Sequence, residues 1–549
     1  MPQPNWRDDL RDFKKLGKPR LFFGISPGAM DSMVNHYTAN RRLRHDDAYT
    51  PGGRHGMRPD YPTIIYSKIL KSLYPDVPII AGGIEASLRR VSHYDYWQDA
   101  LRPSILADAA ADMIIYGMGE RSILELAKRL NEGEKIDKII DIPQTAFFND
   151  GVPTREDRVL YSFEECLKDK KKQADNFKIV EEESNKIEGN VIWQSTNGRW
   201  IKINPMYPPM TSPEIDASYD LPYTRLPHPR YKGKVIPAYD MIRHSITLHR
   251  GCFGGCAFCT ISAHQGKFIS SRSKKSILNE VKKVCSMHDF KGYISDLGGP
   301  SANMYMMRGK DMGVCKKCKR PSCLYPTICK NLNNDHSPLI DVYKAVDSNA
   351  DVKKSFIGSG VRYDLALLSS DNEKIDSINR DYLELLITSH VSGRLKVAPE
   401  HISDRVLNLM RKPSFKLFEK FKSFFDNINK NKNLRQQLIP YFISSHPACQ
   451  EEDMAELAVL TKDLDFKLEQ VQDFTPTPMT LASEIYYSGI NPYTGKEVYT
   501  ARTKEEKLAQ RRFFFWYKPE ERASIISRLK KIGRIDLIKR LYPPPKKSF

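Results

Sequence analysis

One pattern recurs six times between Ile242 and about residue 485, and it limits the folds open to this chain. In each repeat an apolar strand ends in a polar loop bearing Gly or Pro, and an amphipathic helical stretch follows. The strand ends read SITLHRGC, GYISDLGGPS, SFIGSGVRYD, RLKVAPEH, LIPYFISSHP and LEQVQDFTPTP. Strands that alternate with helices predict a parallel sheet, and six units fall short of the eight in a closed barrel. The sequence therefore predicts a partial (β/α)6 barrel over 242–485, with an active site in the loops after the strands.

Two further regions precede this repeat. Residues 1–150 contain the strand-like runs RLFFGIS, VPIIAGGIEAS and ADMIIYGMG, which alternate with helical stretches and predict a Rossmann-like parallel sheet. Residues 151–241 hold a charged helix and a β-hairpin with Asn197-Gly198 at its turn, and we interpret them as a connector. With a small basic C-terminal extension at 486–549, the predicted fold class is α/β.

Charge and hydropathy restrict the partners of the chain. Lys and Arg outnumber Asp and Glu by 86 to 67, for a formal net charge of +19. This surplus favours anionic partners such as nucleic acid or a phosphorylated metabolite, although a lysine-rich proteome produces the same surplus. No apolar run approaches the roughly 20 residues that span a bilayer, and the charged start lacks the apolar core of a signal peptide. We therefore expect a cytoplasmic protein without a membrane partner.

Cys252, Cys256 and Cys259 form a C-x3-C-x2-C group on the loop after the first barrel strand. Three thiolates are one fewer than a closed site needs, so a [4Fe–4S] cluster bound in this way keeps one iron open to an outside ligand. The amino and carboxylate groups of S-adenosylmethionine (SAM) can be that ligand. The alternative is a structural zinc with a nearby histidine, His249 or His264, as the fourth ligand.

The same cysteine group resembles the signature of the radical SAM superfamily, C-x3-C-x-aromatic-C, with Phe258 as the aromatic residue. The resemblance implies that Phe258 lies near the adenine of SAM. It also implies that the segment DLGGPSANMY holds the SAM amino group through Gly298, Gly299 and Pro300. The usual motif ends in Glu, which is absent here, so the Ser and Asn of this segment would supply the polar contacts.

Two later strand ends add candidates for SAM binding. The segment GSGVRYD resembles the element that reaches the SAM carboxylate and ribose, with Ser359 and Arg362 as the candidate residues. In KVAPEH, Glu400 could accept hydrogen bonds from the ribose hydroxyls. The alternative for each of the three is that it holds a neighbouring loop in shape.

The segments GGIEAS, LHRGCFGGCAFC, SDLGGPSANMY, LKVAPEH, IPYFISSHP and FTPTPMT together resemble the YgiQ-type family of radical SAM proteins over nearly the whole chain. The resemblance implies reductive cleavage of SAM to a 5′-deoxyadenosyl radical, with a reductant such as flavodoxin or ferredoxin. The substrate could be RNA or an anionic metabolite. Two alternatives are a zinc-containing nucleic-acid-binding protein and a scaffold that binds SAM without turnover.

The N-terminal domain of the relatives resembles a cobalamin-binding fold. In this chain Met1 would enter that fold partway through, so a first βα unit could be missing. The chain also lacks Asp-x-His-x-x-Gly, the motif that places a histidine on cobalt. Both departures argue against cobalamin as a cofactor.

A second cysteine group lies in an insertion at 305–336, after the second barrel strand. Its members are spaced x2, x4 and x5: Cys315, Cys318, Cys323 and Cys329. Four thiolates this close in sequence predict a metal site. An auxiliary [4Fe–4S] cluster and a structural zinc both fit, and the cluster is favoured because the chain is already expected to carry one.

Two histidines are candidates for a substrate cavity: His336 in NNDHSP and His446 in FISSHP. His446 follows a strand, where an imidazole could transfer a proton or bind substrate. The alternative is a loop anchor held by hydrogen bonds. The sequence assigns no residue to catalysis itself.

Overall fold

The computed structural model describes residues 1–367 and 372–544 and confirms the predicted α/β class. The N-terminal part is built on one large sheet, and the strands after it form mainly parallel pairs. Residues 545–549 of the predicted basic extension lie outside the described residues. Among the described residues, no helix is long and apolar enough to cross a membrane.

The N-terminal part contributes nine strands and ten α-helices. The strands are β1 (Phe23–Ile25), β2 (Ile79–Ala81), β3 (His93–Asp95), β4 (Ala100–Arg102), β5 (Met113–Ile115), β6 (Thr145–Phe148), β7 (Arg158–Val159), β8 (Ile192–Thr196) and β9 (Arg199–Ile203). The helices are α1 (Arg11–Lys14), α2 (Ser32–His36), α3 (Pro62–Leu73), α4 (Gly83–Leu88), α5 (Ile105–Asp108), α6 (Glu120–Asn131), α7 (Phe163–Lys168), α8 (Lys170–Ser184), α9 (Ser212–Tyr219) and α10 (Pro237–Ile242). Local chemistry sets some of these boundaries: Pro62 opens α3, and a capping box of Ser162 and Glu165 starts α7.

Seven of these strands form one mixed sheet in the order β1-β2-β5-β6-β9-β8-β7. β1, β2 and β5 are parallel, and the sheet continues through antiparallel β6, β9 and β8. The predicted hairpin is thus part of this sheet. Its turn residues Asn197 and Gly198 have φ of 51° and 74°, a pair of positive values that matches the twist of the strands. Helices α4 and α8 cover one face of the sheet, and α6 covers the other.

The second part follows the repeated pattern of the sequence. Its strands are β10 (Ser245–Thr247), β11 (His249–Arg250), β12 (Ser270–Ser271), β13 (Tyr293–Ile294), β14 (Asp296–Gly298), β15 (Arg308–Gly309), β16 (Leu332–Asn333), β17 (Lys354–Ser355), β18 (Arg394–Glu400), β19 (Gln437–Ser444) and β20 (Val471–Asp473). Its helices are α11 (Ile261–Gln265), α12 (Lys274–Cys285), α13 (Met312–Cys315), α14 (Ser337–Asp347), α15 (Tyr363–Leu367), α16 (Glu373–Leu385), α17 (Asp404–Met410), α18 (Phe415–Asn431), α19 (Glu451–Asp463) and α20 (Leu481–Ser488).

The six strand positions of this part pair in parallel within two groups of three. β10 pairs with β14 and β13 with β17, while β18, β19 and β20 form a three-stranded sheet. Because β13 and β14 are successive halves of one strand position, the pairings join the first three positions and, separately, the last three. Apolar faces of the helices cover these strands, as with Phe418, Phe421 and Phe425 of α18, all buried in the barrel core.

Three helices follow the barrel: α21 (Lys504–Arg512), α22 (Pro519–Lys531) and α23 (Ile535–Leu541). α21 and α23 contact α19, and α22 packs against both. Phe513 and Phe514, between α21 and α22, are fully buried in the barrel core. Their burial removes these two rings from any role in stacking on nucleic-acid bases.

α8 of the N-terminal part packs along α20 of the barrel. Inside this contact, Gln173 Nε2 lies 3.3 Å from each carboxylate oxygen of Glu484. Glu484 is 3% exposed, and burial raises the pKa of its carboxyl to about 8. The contact therefore favours the neutral carboxyl, since its ionised form would bury a charge without a cation beside it.

We expect this contact to make the protein less stable as the pH rises towards 8. Unfolded Glu484 titrates near 4.5. Between that pH and about 8 the folded state holds one proton more than the unfolded state, so the free energy of unfolding decreases with pH. Glu484→Gln should remove this part of the dependence, at most about 4–5 kcal/mol. Thermal midpoints at pH 6 and 8 test it, with Glu469→Gln, at an exposed carboxylate, as the control. An undiminished pH dependence in E484Q would contradict the expectation.

Candidate functional site

The first cysteine group lies on the loop between β11 and α11, after the first strand position. Two glycines with positive φ shape this loop, Gly251 at 86° and Gly255 at 60°. A Cβ atom on Gly255 would lie 2.1 Å from the carbonyl oxygen of Pro321. Glycine is required there because the insertion after the second strand presses directly on the cysteine loop.

The thiols of Cys252, Cys256 and Cys259 influence one another. Burial and the neighbouring Cys256 raise the pKa of Cys252, and burial with both neighbours raises the pKa of Cys259 to about 12. Two donors face the sulfurs: the Gly254 N–H is 3.4 Å from Cys252 Sγ, and Arg362 Nη1 is 3.6 Å from Cys256 Sγ. The three cysteines are half-buried and close enough to raise one another's pKa. The donors that face them would also face thiolates bound to a metal centre.

Arg362 is fixed by partners on several sides. Its Nε and Nη2 donate to the two carboxylate oxygens of Asp364 at 2.9 and 2.5 Å. Its backbone N–H donates to Asn303 Oδ1 at 2.8 Å, and Asn303 Nδ2 donates back to the carbonyl of Arg362 at 3.0 Å. Nη1 is therefore the guanidinium nitrogen left to face Cys256.

His336, a predicted cavity residue, is fully buried and anchors this network. Its Nε2 accepts from Asn303 Nδ2 at 3.0 Å, so Nδ1 carries the proton and donates to Asn379 Oδ1 at 2.6 Å. The ring stacks on Tyr382, with 4.4 Å between centroids, and burial lowers the pKa of His336 to about 4. Both ring nitrogens are thus engaged within the protein, and the neutral imidazole orients the asparagine that holds Arg362.

The segment proposed to hold the SAM amino group ends β14 and lies beside β10: Gly298, Gly299 and Pro300. A Cβ atom on Gly299 would lie 2.6 Å from Nε2 of His249, and one on Gly298 would lie 2.8 Å from Oγ of Ser359. Ser359 in turn donates its hydroxyl to the carboxylate of Asp296 at 2.5 Å. The two glycines therefore let side chains from neighbouring loops approach the end of this strand.

Glu400 ends β18 with a φ of 69°, next to an irregularity in the pairing of β18 with β19. Its carboxylate lies 3.7 Å from Nζ of Lys412, and burial raises its pKa in spite of that cation and Arg362. The positive charge of Lys412 also lowers the pKa of Cys252. A strained residue beside buried charges is typical of a functional site.

Phe258 and His446 meet edge to face, with 6.0 Å between ring centroids, and Phe474 also contacts the imidazole edge to face, with 5.2 Å between centroids. Nδ1 of His446 donates to the carbonyl of Pro447 at 2.8 Å, so Nε2 carries the lone pair. Among residues 1–367 and 372–544, this buried Nε2 has no hydrogen-bond partner. It can accept a hydrogen bond from a ligand that reaches Phe258.

Arg411, at the end of α17, ties the cysteine loop to two distant parts of the chain. Its Nη1 and Nη2 pair with the two oxygens of Glu181 in α8 at 2.7 and 2.9 Å, and Nη1 also lies 3.5 Å from the carbonyl oxygen of Gly255. Tyr493 donates its hydroxyl to the same carboxylate. The loop is thereby anchored to the N-terminal part and to the segment after α20.

The four cysteines of the second group also face one another. Burial and Cys318 raise the pKa of Cys315, and burial raises the pKa of Cys323 to about 11, with Cys329 adding to the effect. The amide Nδ2 of Asn331 lies 3.4 Å from Cys315 Sγ. The thiols of the insertion are therefore close enough to influence one another electrostatically, and all four cysteines are half-buried.

Within the part of the chain that the structure describes, no three His, Cys, Asp or Glu side chains form a group that could hold a metal ion. In a tetrahedral zinc–thiolate site, Zn–S bonds of about 2.3 Å place the sulfurs about 3.8 Å apart. The thiolates of a cubane bind different irons and so stand further apart. Among the described residues, neither cysteine group is closed round a single ion.

Sequence reasoning missed Arg411 and Lys412, which adjoin the cysteine loop. Their only signal is the pair of basic residues in the run LMRKP after the fourth strand. Basic residues at the end of a helix usually interact with its carbonyl groups in solvent, so the pattern does not distinguish a buried role.

Comparisons with known proteins place the chain among radical SAM proteins. Residues 1–245 match the family described as Radical SAM N-terminal, and residues 469–544 match a domain of unknown function, DUF3362. A UPF0313 protein of Bacteroides thetaiotaomicron is 66% identical, over 99% of this chain and 90% of the relative. The UPF0313 protein of Porphyromonas gingivalis is 63% identical, over 99% of this chain and 86% of its own. The predicted radical SAM membership is confirmed.

Among solved structures, the chain is similar to two enzymes. TsrM from Kitasatospora setae, a radical SAM methyltransferase with cobalamin and a [4Fe–4S] cluster bound, has a TM-score of 0.46 at 13% identity, over 87% of this chain and 67% of its own. OxsB, a cobalamin-dependent SAM radical enzyme with aqua-cobalamin and SAM bound, has a TM-score of 0.40 at 12% identity, over 82% and 45%.

The prediction against cobalamin is wrong, because these similar structures are of cobalamin-dependent radical SAM enzymes. The absence of an Asp-x-His-x-x-Gly motif argues only against a histidine ligand to cobalt, and not against cobalamin itself. A protein can hold a corrin ring through contacts that this motif does not record.

We expect Gly255→Ala to prevent the cysteine loop from adopting its conformation, because the added Cβ atom would collide with the backbone of Pro321 at a positive φ. Iron and sulfide bound after anaerobic reconstitution should each fall by about four per chain, the content of one [4Fe–4S] cluster. Gly360→Ala is the control, since a Cβ atom at Gly360 meets nothing within 4 Å. Wild-type iron content in G255A would show that the loop tolerates the collision.

Proposed function

This chain belongs to the UPF0313 family, and we propose that it is an enzyme that holds a [4Fe–4S] cluster and SAM at the loop of Cys252, Cys256 and Cys259. When bound, the cluster would supply the electron that splits SAM into methionine and a 5′-deoxyadenosyl radical. The net charge of +19 favours an anionic substrate, such as RNA or a phosphorylated metabolite.

The observation that carries this proposal is the charge around the three thiols. Arg362 Nη1 faces Cys256 at 3.6 Å, and Lys412 acts on Cys252. Both cations are largely buried, and a buried cation is stable only near negative charge. Asp364 and Glu400 supply part of that charge. Thiolates bound to a cluster would add to it, and so would a ligand carboxylate at an open iron.

The other site residues would position SAM around that iron. The glycines at the end of β14 leave the backbone open to the amino group. Glu400 would accept from the ribose hydroxyls, and Phe258 would pack against the adenine. His446 Nε2, a buried acceptor without a partner among the described residues, would take a hydrogen bond from the same ligand.

The zinc alternative would need a histidine as the fourth ligand. Nε2 of His249 donates to the carbonyl of Ser301 at 2.9 Å, and its ring packs on Gly299. His249 would have to leave both contacts to reach the thiols, which disfavours a closed zinc site with this residue.

We expect the anaerobically reconstituted protein, once reduced with dithionite, to convert SAM to 5′-deoxyadenosine. The variant C252A/C256A/C259A should form none above background, because no thiolate remains to hold the cluster. Cys285→Ala, at a thiol outside both groups, is the control and should keep the wild-type rate. SAM binding without product in the wild type would select the scaffold alternative, and a colourless protein containing zinc would select the metalloprotein alternative.

A second prediction concerns Arg362. Arg362→Gln should slow SAM cleavage by about ten- to hundred-fold while the iron content changes little, since Arg362 orients and balances charge without ligating metal. Arg394→Gln, at an exposed arginine paired with Glu469, is the matched control. Equal cleavage rates for R362Q and R394Q would exclude a role for the guanidinium.

A further inference from the structure

The two cysteine groups lie against each other. The backbone N–H of Cys323 donates to the carbonyl of Phe253 at 3.0 Å, and Ser322 Oγ donates to the carbonyl of Gly254 at 2.7 Å. Cys252 and Cys323 also pack on the same apolar cluster. Any centre held by the second group therefore borders the first one.

A buried lysine lies against the second group, and the residue before it is hydrogen-bonded to the first group. Lys267 is 2% exposed, and its Nζ donates to the carbonyl of Arg320 at 2.7 Å and lies 3.6 Å from Cys318 Sγ. It follows Gly266, whose carbonyl accepts from the backbone N–H of Cys252 at 3.1 Å. Within residues 1–367 and 372–544 it has no ion pair with a carboxylate, so thiolates bound to a metal centre in the second group would supply its counter-charge.

The outer side of the second group is strongly basic. The insertion carries seven cationic residues against two acidic ones: Arg308, Lys310, Lys316, Lys317, Lys319, Arg320 and Lys330, with Asp311 and Asp335. Lys316 and Lys319 pair with Glu188 and Glu182 of the N-terminal part. Three exposed lysines form no ion pair within the described part of the chain: Lys310, Lys317 and Lys330. These three define the basic rim.

We propose that the second cysteine group holds an iron–sulfur cluster that receives electrons from a small acidic electron-carrier protein docked on the basic rim, and passes them to the cluster of the first group. The contact fits such a partner because its charge complements the rim, and complementary charge speeds the docking of carrier proteins. Zinc has no redox chemistry and could not serve in this position.

The electron balance is simple. The reduced carrier loses one electron to the second cluster, which returns to its oxidised state when the first cluster is reduced. That electron enters the sulfonium C–S bond of SAM, which breaks into methionine and the 5′-deoxyadenosyl radical. The positive charge of Lys267 favours the reduced state of the second cluster. This relay rests on the proposed function.

Dithionite, a small reductant that needs no docking surface, separates the relay from the SAM chemistry itself. The rate of 5′-deoxyadenosine formation is measured with dithionite and with reduced flavodoxin, the acidic carrier used as the probe. If the wild type gives no product with dithionite, the proposed function fails. If it gives product with dithionite and the variants below respond alike to both reductants, only the relay fails.

The first variant reverses the rim, K310E/K317E/K330E. Its flavodoxin-driven rate should fall at least ten-fold and lose most of its salt dependence, while its dithionite-driven rate stays within two-fold of wild type. The control K68E/K420E/K530E changes the net charge equally at three exposed lysines outside the insertion and should behave as wild type. A similar loss in both triple variants would reduce the effect to overall charge and overturn the docking site.

The second variant, C315A/C318A, removes the cluster ligands. It should bind about four irons fewer per chain, lose the flavodoxin-driven rate and keep the dithionite-driven rate. Zinc in the wild-type second group, or a flavodoxin-driven rate unchanged in C315A/C318A, would overturn the relay. If C315A/C318A does not fold, the comparison of flavodoxin-driven and dithionite-driven rates in K310E/K317E/K330E still tests the docking site.

Discussion

The ion pair between Arg411 and Glu181 is the interaction on which the arrangement of the site depends. It joins α17 of the barrel to α8 of the N-terminal part, and the hydroxyl of Tyr493 adds the segment after α20. The guanidinium also approaches the carbonyl of Gly255 in the cysteine loop. Removing one partner from a buried pair of this kind costs about 3–5 kcal/mol, because the other charge stays behind without compensation. The cysteine loop therefore contacts a network to which all three parts of the chain contribute.

A second buried network prepares the site for negative charge. Asp364 holds two nitrogens of Arg362, and Asn303 holds its backbone, while His336 fixes the amide of Asn303 as a neutral imidazole. Because these groups are paired before any ligand arrives, little reorganisation is needed when thiolates and a ligand carboxylate bring charge to Arg362. This rigidity explains why four polar side chains are buried in a region that apolar residues could fill.

Close backbone packing brings the two cysteine groups together. The insertion after the second strand does not extend into solvent, since Pro321 presses on Gly255 and Ser322 bonds to the neighbouring carbonyl. A side chain at Gly255 would push the two loops apart. The close contact between the two cysteine loops therefore depends on the absence of a side chain at Gly255.

The sequence alone determined the α/β class, the six βα repeats and the two cysteine groups, because hydropathy periods and short spacings are local properties of the chain. It also placed Phe258, Arg362 and Glu400 at strand ends, where parallel strands bring loops to one side of a sheet. Only the tertiary structure decided that the hairpin extends the N-terminal sheet, that Arg411 and Lys412 turn inwards, and that buried Lys267 lies against Cys318 of the second cysteine group. These features arise from contacts between residues tens to hundreds of positions apart. Such contacts leave no period or motif in the sequence, because a lysine or arginine is written identically whether its side chain is buried or exposed.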